Sequence, residues 1–145
     1  MPRVFGMKPI DNWMRYFVTK FCNVLFMLQL KTKIDDKNLS DRILSTACHP
    51  GLASTYAQVR AKEYFSNWKI INKFFAQSAA DGSMPLLMAT CGPGVKNGDF
   101  IGPGSGDEMK GPPKIVSTGG NSKDEKQRKD LWAYSEECLE SIFEI

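Results

Sequence analysis

A tyrosine and a lysine near the start of the chain have the types and the spacing needed for proton transfer. Tyr16 and Lys20 are four residues apart, so in a helix they share one face. A free phenol is rarely ionised at neutral pH, but an ammonium group one helical turn away favours the phenolate. Such a tyrosine can exchange a proton with an alcohol or carbonyl oxygen. The pair also fits an amphipathic helix with a half-buried tyrosine and a solvated lysine, since short motifs of this kind arise by chance.

The element that must position this pair is a helix, predicted from an Asp11-Asn12 cap signal to about residue 34. Apolar residues recur through it at intervals of three and four, which is typical of a helix packed on a core. The stripe predicted to be buried consists of Phe17, Phe21, Val24 and Leu28. It lies beside the face that carries Tyr16 and Lys20.

A second candidate lies at the end of a predicted strand over residues 42–48. Pro50 and Gly51 stop this strand, because proline removes a hydrogen-bond donor and glycine allows the backbone to turn. In open α/β sheets, ligands bind just beyond the carboxyl ends of the strands. A strand-to-helix turn with Ser54 or Thr55 as N-cap explains the same residues, and both interpretations can hold together.

Three segments together resemble the short-chain dehydrogenase/reductase superfamily. They are YFVTKFCNVLF at 16–26, HPG at 49–51 with Thr55 behind it, and GDFIGP at 98–103. Their order and spacing are similar to those of the retinol-dehydrogenase-like branch. The resemblance implies an α/β fold, namely the C-terminal half of a doubly wound Rossmann-type parallel sheet. About two short strands and three to four helices are expected.

The resemblance also implies roles for individual residues. Tyr16 would transfer the proton, and Lys20 would hold the ribose hydroxyls of NADP or NAD. Pro50, Gly51 and Thr55 would orient the nicotinamide. The substrate would be a lipophilic alcohol, aldehyde or ketone, whereas the neighbouring His49 is expected to be structural.

The chain is predicted to be one partial domain over residues 1–145. It would contain the active-site helix, the PG turn, a substrate lobe and the C-terminal strand and helix. The nucleotide-binding half is expected to be absent, because no glycine-rich strand–turn–helix unit precedes Tyr16 and no serine does either. The chain alone is therefore expected to be inactive. The alternative is a truncated, inactive paralogue that acts as an interaction module, for example by dimerising through the active-site helix.

The remaining predicted elements lie between the PG turn and the C-terminus. They are a helix over 56–80, a break at Asp81-Gly82, a helix over 84–91, a strand over 99–101, a loop over 102–120 and a last helix from a Ser122–Glu125 capping box to about residue 143. The aromatic residues of 56–80 suit either a lipophilic substrate lobe or the core.

Composition excludes several classes of function. The net charge of +3 comes without a basic block, so nucleic acid is not an expected partner. Four scattered cysteines and one histidine do not form a zinc pattern, and they favour reduced thiols in an intracellular protein, cytoplasmic or organellar. The apolar run over 16–30 contains Lys20 and is too short to span a membrane.

Overall fold

The computed structural model describes residues 12–53 and 76–144, with side chains from residue 14 onward. Within these ranges the chain is an α/β structure, in which helices pack against a small mixed sheet of three strands. The elements in chain order are α1 (Asn12–Asp36), β1 (Ala47–Cys48), α2 (Ala79–Cys91), β2 (Phe100–Pro103), β3 (Pro113–Val116), a 3-10 helix (Gly120–Lys123) and α3 (Glu125–Leu139). The predicted helix over 56–80 lies largely outside the described residues.

The sheet has the order β1-β2-β3, with β2 in the centre. β1 and β2 are parallel, and Cys48 pairs with Ile101. Ile101 is fully buried, as expected for the central strand of a sheet covered by helices. The parallel pair agrees with the predicted arrangement, and β2 lies within two residues of the predicted strand over 99–101.

β3 corrects the prediction of an uninterrupted loop over 102–120. It pairs with β2 in the antiparallel direction, with Val116 opposite Phe100 and Pro113 opposite Pro103. The sheet is therefore mixed and not parallel throughout. Glycine and proline dominate the composition of this segment, but proline is compatible with the first residue of a strand. β-branched Ile115 and Val116 suit the pairing with β2.

β1 is shorter than the predicted strand over 42–48. The backbone of Ser45 bonds to residues of the turn before β2: its N–H donates to Asn97 Oδ1 (2.8 Å) and its carbonyl accepts from Gly98 N (2.8 Å). Arg42 and Ile43 instead bond to Leu39 in a turn. The backbone groups of these residues thus form hydrogen bonds outside the β1–β2 pair, and regular strand pairing begins only at residue 47.

Helix α1 is buried on two opposite sides and not along the predicted stripe alone, since Phe21, Val24 and Leu28 of that stripe are only half-buried. Leu25, Met27 and Ile34 are buried, whereas Phe17 is 58% exposed. α1 packs against α3, the 3-10 helix and β1, and these long-range partners decide which face is covered. The helix ends where Asn38 adopts a left-handed conformation (φ 54°), a common way to terminate a helix. Of the helices in the described ranges, none has the length and apolarity required to cross a membrane.

Helix α2 begins earlier than predicted and runs through Asp81-Gly82. Ser78 caps its N-terminus by accepting a hydrogen bond from Asp81 N (3.0 Å), which supports the first turn. Gly82 lies inside the helix and does not break it. It faces Ala53 closely, and a Cβ at this position would lie 2.5 Å from Ala53 Cβ. The glycine thus permits close packing between the helix and the segment that follows β1.

Helix α3 is capped by Asp124 and not by the predicted Ser122–Glu125 box. The Asp124 carboxylate accepts from the backbone N–H groups of Lys126 and Gln127, and these bonds lower the pKa of Asp124. Ser122 is buried in the 3-10 helix, where its hydroxyl bonds to residues 118 and 119. The predicted cap position therefore lies within the 3-10 helix that precedes α3. α3 ends at Leu139, before the predicted residue 143.

The side chain of Asn97 links the C-terminal part of α1 to the segment that precedes β1. Asn97 Nδ2 donates to Lys31 O (3.2 Å) and to Asp35 Oδ1 (2.8 Å), and Oδ1 accepts from Ser45 N (2.8 Å). Hydrogen bonds from Lys31 and Asn97 lower the pKa of Asp35. The carboxylate therefore stabilises the fold above its ordinary pKa, and this contribution is lost as pH falls through the lowered folded-state pKa.

Replacing Asn97 by alanine is expected to lower the free energy of unfolding by about 2–3 kcal/mol. Three hydrogen bonds are lost, and the backbone N–H of Ser45 is left without its partner, each loss being worth about 1 kcal/mol. Urea denaturation followed by circular dichroism measures the change. The matched control is Asn121→Ala at an exposed position, where we expect about 0.5 kcal/mol or less. Equal effects of the two substitutions would show that the hydrogen bonds of Asn97 do not stabilise the fold.

Candidate functional site

The predicted proton-transfer pair lies on one exposed face of α1. Tyr16 is 51% exposed and Lys20 is also exposed. Lys20 Nζ lies 5.4 Å from the centre of the Tyr16 ring. The phenol and the ammonium group are thus on the same side of the helix, as their spacing predicts. Thr19 Oγ1 donates to Tyr16 O (2.7 Å), so the threonine hydroxyl binds the backbone of the helix.

The HPG turn follows β1 at its carboxyl end. Gly51 has φ 61°, a left-handed conformation that glycine adopts without strain. A Cβ at Gly51 would lie 2.4 Å from Met109 O and 2.7 Å from Pro103 Cγ. Leu52 N donates to Met109 O (2.8 Å). The turn is thus held closely against the loop that leaves β2, and only glycine fits at its tip.

Gln77 is a site residue that the sequence did not reveal. It is 8% exposed, and its Nε2 donates to Pro50 O (2.8 Å) while its Oε1 accepts from Gly111 N (3.1 Å). Its backbone N–H donates to Leu52 O (2.8 Å). One buried amide therefore connects the HPG turn to the loop after β2. No motif surrounds Gln77, so no sequence signal identifies it.

His49 and Glu108 form a second connection between the same two segments. His49 Nε2 lies 3.2 Å from Glu108 Oε2, and Gly51 N donates to His49 Nδ1 (3.3 Å). The imidazole lies against the Phe100 ring, with 5.3 Å between ring centres. These contacts agree with the structural role expected of His49. Glu108 itself has a left-handed backbone (φ 55°), which directs the loop back toward β3.

The loop after β2 is stabilised by hydrogen bonds from its own side chains. Ser105 Oγ donates to Asp107 Oδ1 (2.5 Å), and Met109 N donates to the same oxygen (3.1 Å). These two hydrogen bonds lower the pKa of Asp107. Lys110 N donates to Ser105 Oγ (3.2 Å). The loop therefore presents Met109 and Glu108 to the HPG turn from a defined conformation.

A cavity of about 840 Å³ opens beyond the carboxyl end of β2. It is lined by Gln77, Asp81, Met84, Gly104, Ser105, Lys110, Gly111, Pro112 and Pro113. Gln77 connects its wall to the HPG turn through Pro50 O. This is the edge of the sheet at which α/β proteins bind ligands. Tyr16 and Lys20 are not among the lining residues, so the structure joins the turn to the cavity but does not bring the predicted pair to its wall.

The remaining predicted site residue, Thr55, lies outside the described residues. Within 12–53 and 76–144, no group of three or more His, Cys, Asp or Glu side chains is arranged to hold a metal ion. Pro50 is exposed and Gly51 partly exposed, so both are accessible to a ligand. Comparison of the chain with protein-family models, curated proteins and solved structures found no match.

Proposed function

We propose that the chain is part of an NAD(P)-dependent oxidoreductase of the short-chain dehydrogenase/reductase type. The observation that carries the proposal is the order of elements around the HPG turn. A helix with Tyr16 and Lys20 on one face is followed by a strand that pairs in parallel, and this strand ends in the turn. The mixed three-stranded sheet is compatible with the C-terminal part of a doubly wound, Rossmann-type fold.

The proposed roles are those that the resemblance to the short-chain dehydrogenase/reductase superfamily implies, and the chemistry of the side chains is compatible with them. A bound nicotinamide would accept the hydride from an alcohol or supply it to a carbonyl. The Tyr16 hydroxyl would accept or donate the accompanying proton. Lys20, on the same side of α1, would hold the ribose hydroxyls and stabilise the phenolate. Pro50 and Gly51, with Thr55, would orient the nicotinamide ring at the end of β1.

The proposed substrate is a lipophilic alcohol, aldehyde or ketone, whose apolar part would lie in the cavity next to the HPG turn. Met84, Pro112 and Pro113 contribute apolar surface to its wall, whereas Lys110 and Asp81 contribute charge. Binding pockets for such molecules are mostly apolar and have a few polar anchors.

Titration with NADPH, followed by the fluorescence of the reduced nicotinamide, tests the proposal. Because this chain would hold only the nicotinamide and its ribose, we expect weak, saturable binding that Lys20→Met weakens about tenfold or more through loss of a charge-assisted hydrogen bond. The matched control is Lys37→Met, which removes the same charge at an exposed position just beyond α1 and is expected to leave binding unchanged.

Turnover of an aldehyde or ketone is not expected from this chain, because the described ranges contain no glycine-rich βαβ turn for the pyrophosphate. Absence of NADPH binding, or equal loss in both variants, would contradict the proposal.

The second candidate function is an interaction module that pairs with a full-length subunit. Helix α2 favours it, because Met84, Leu86 and Leu87 are between 43% and 55% exposed. Clustered apolar side chains at a surface are typical of protein–protein contacts. Failure to bind NADPH, together with co-purification of an intact homologous dehydrogenase, would favour this function over the first.

A further inference from the structure

We propose that His49 is a positioning residue of the candidate site and that its charge state controls Gly51. In its neutral form, His49 accepts the Gly51 N–H and holds the tip of the HPG turn against the loop after β2. Protonation of the ring removes this acceptor and releases the Gly51 amide. The role of Gly51 in orienting a nicotinamide rests on the proposed function, but the hydrogen-bond device does not.

The contacts of the ring determine which nitrogen carries the proton. Gly51 N donates to His49 Nδ1 (3.3 Å), and a ring nitrogen that accepts a hydrogen bond has no proton of its own. The neutral ring is therefore protonated at Nε2. Nε2 lies 3.2 Å from Glu108 Oε2, which is an acceptor in its ionised state. Both ring nitrogens are thus used, one toward each segment.

The surroundings of the ring keep it in this orientation. Phe100 of β2 lies against it, with 5.3 Å between ring centres. A Cβ at Gly102 would lie only 2.2 Å from Nε2, so glycine at this position of β2 leaves room for the ring. Both β2 residues are uncharged. Among the described residues in contact with the imidazole, Glu108 is the charged group, since the Asp107 carboxylate bonds within its own loop.

Protonation changes the two sides of the ring in opposite ways. A proton on Nδ1 would face the Gly51 N–H, and two donors cannot form a hydrogen bond. On the other side, the contact with Glu108 becomes an ion pair. The bonds from Leu52 N to Met109 O and from Gln77 Nε2 to Pro50 O involve no titratable group. They keep the rest of the turn in place, so release is confined to Gly51.

Amide hydrogen exchange of Gly51 in the full chain tests this inference. His49 is the only histidine in the chain, so its imidazole resonances are assigned without ambiguity during an NMR pH titration. After correction for the intrinsic pH dependence of exchange, we expect Gly51 to exchange about fivefold faster once the ring is protonated, as for the loss of one hydrogen bond. The midpoint should coincide with that of the imidazole resonances.

Two substitutions separate positioning from a merely structural role. In His49→Asn, the side-chain oxygen can still accept from the N–H two residues on, so Gly51 should stay protected and lose its pH response. In His49→Ala, Gly51 should exchange fast at every pH, while circular dichroism verifies that the chain folds. Gly51 exchange that is unchanged across the imidazole titration would overturn the inference, and so would a neutral ring protonated at Nδ1. Neither readout uses NADPH, so failure of cofactor binding would leave the result interpretable.

Discussion

Replacing Trp132 by alanine is expected to lower the free energy of unfolding by about 3–5 kcal/mol, the range for removal of a buried aromatic ring. Trp132 is 5% exposed and stacks on Phe26 of α1, with 4.9 Å between ring centres and 18° between planes. Lys33 Nζ lies 4.9 Å from the centre of the ring on the α1 side, and Nε1 donates to Glu136 Oε1 (2.8 Å). One side chain therefore supplies much of the packing between α1 and α3.

Urea denaturation of the variant, followed by far-ultraviolet circular dichroism, measures this loss. Because small domains are stable by only about 5–15 kcal/mol, a large share of the stability is expected to disappear. The matched control is Leu139→Ala, which truncates a 74% exposed apolar side chain at the end of the same helix. A change of about 0.5 kcal/mol or less is expected there. A loss of similar size in both variants would show that α3 does not depend on the contact with Phe26.

Gly51→Ala is expected to destabilise the chain by about 2–5 kcal/mol. A left-handed backbone at an alanine costs about 1–2 kcal/mol, and overpacking adds about 1–3 kcal/mol. At Gly51, φ is 61° and the new Cβ would lie 2.4 Å from a backbone oxygen, Met109 O, which cannot move without shifting the loop after β2. The turn and this loop are thus expected to separate.

Gly94→Ala is the matched control for the second prediction. Gly94 also has a left-handed backbone (φ 78°), but a Cβ there meets nothing within 4 Å. Its substitution should therefore lower the free energy of unfolding only by the cost of a left-handed backbone at alanine, about 1–2 kcal/mol. The difference between the two variants measures the steric contact between the HPG turn and Met109. Thermal unfolding of both variants under the same conditions gives this difference, and a value near zero would contradict the close approach.

Local patterns predicted the elements whose signals are local. The periodic apolar run gave α1 to within two residues at its C-terminal end, because helical propensity and spacing act over a few residues. Proline and glycine placed the turn after β1 correctly. The shared face of Tyr16 and Lys20 also follows from helical geometry alone.

The features that sequence analysis missed depend on contacts between distant segments. β3 exists because β2 offers it a pairing edge, although its own segment has the composition of a loop. Burial along α1 depends on α3, the 3-10 helix and β1, so periodicity alone did not predict that Leu25, Met27 and Ile34 are the most buried residues. Gln77 and Glu108 reach the HPG turn from 27 and 59 residues away, and nothing in their neighbouring residues indicates these partners.

The most direct test of the proposed site is the NMR spectrum of the ¹⁵N-labelled chain during addition of NADPH. If Tyr16, Lys20 and the HPG turn belong to one nicotinamide site, the amide signals near Lys20 and that of Gly51 should shift together and give one dissociation constant. Shifts confined to one of the two segments, or no shift in either, would contradict the proposal that this chain is part of an oxidoreductase.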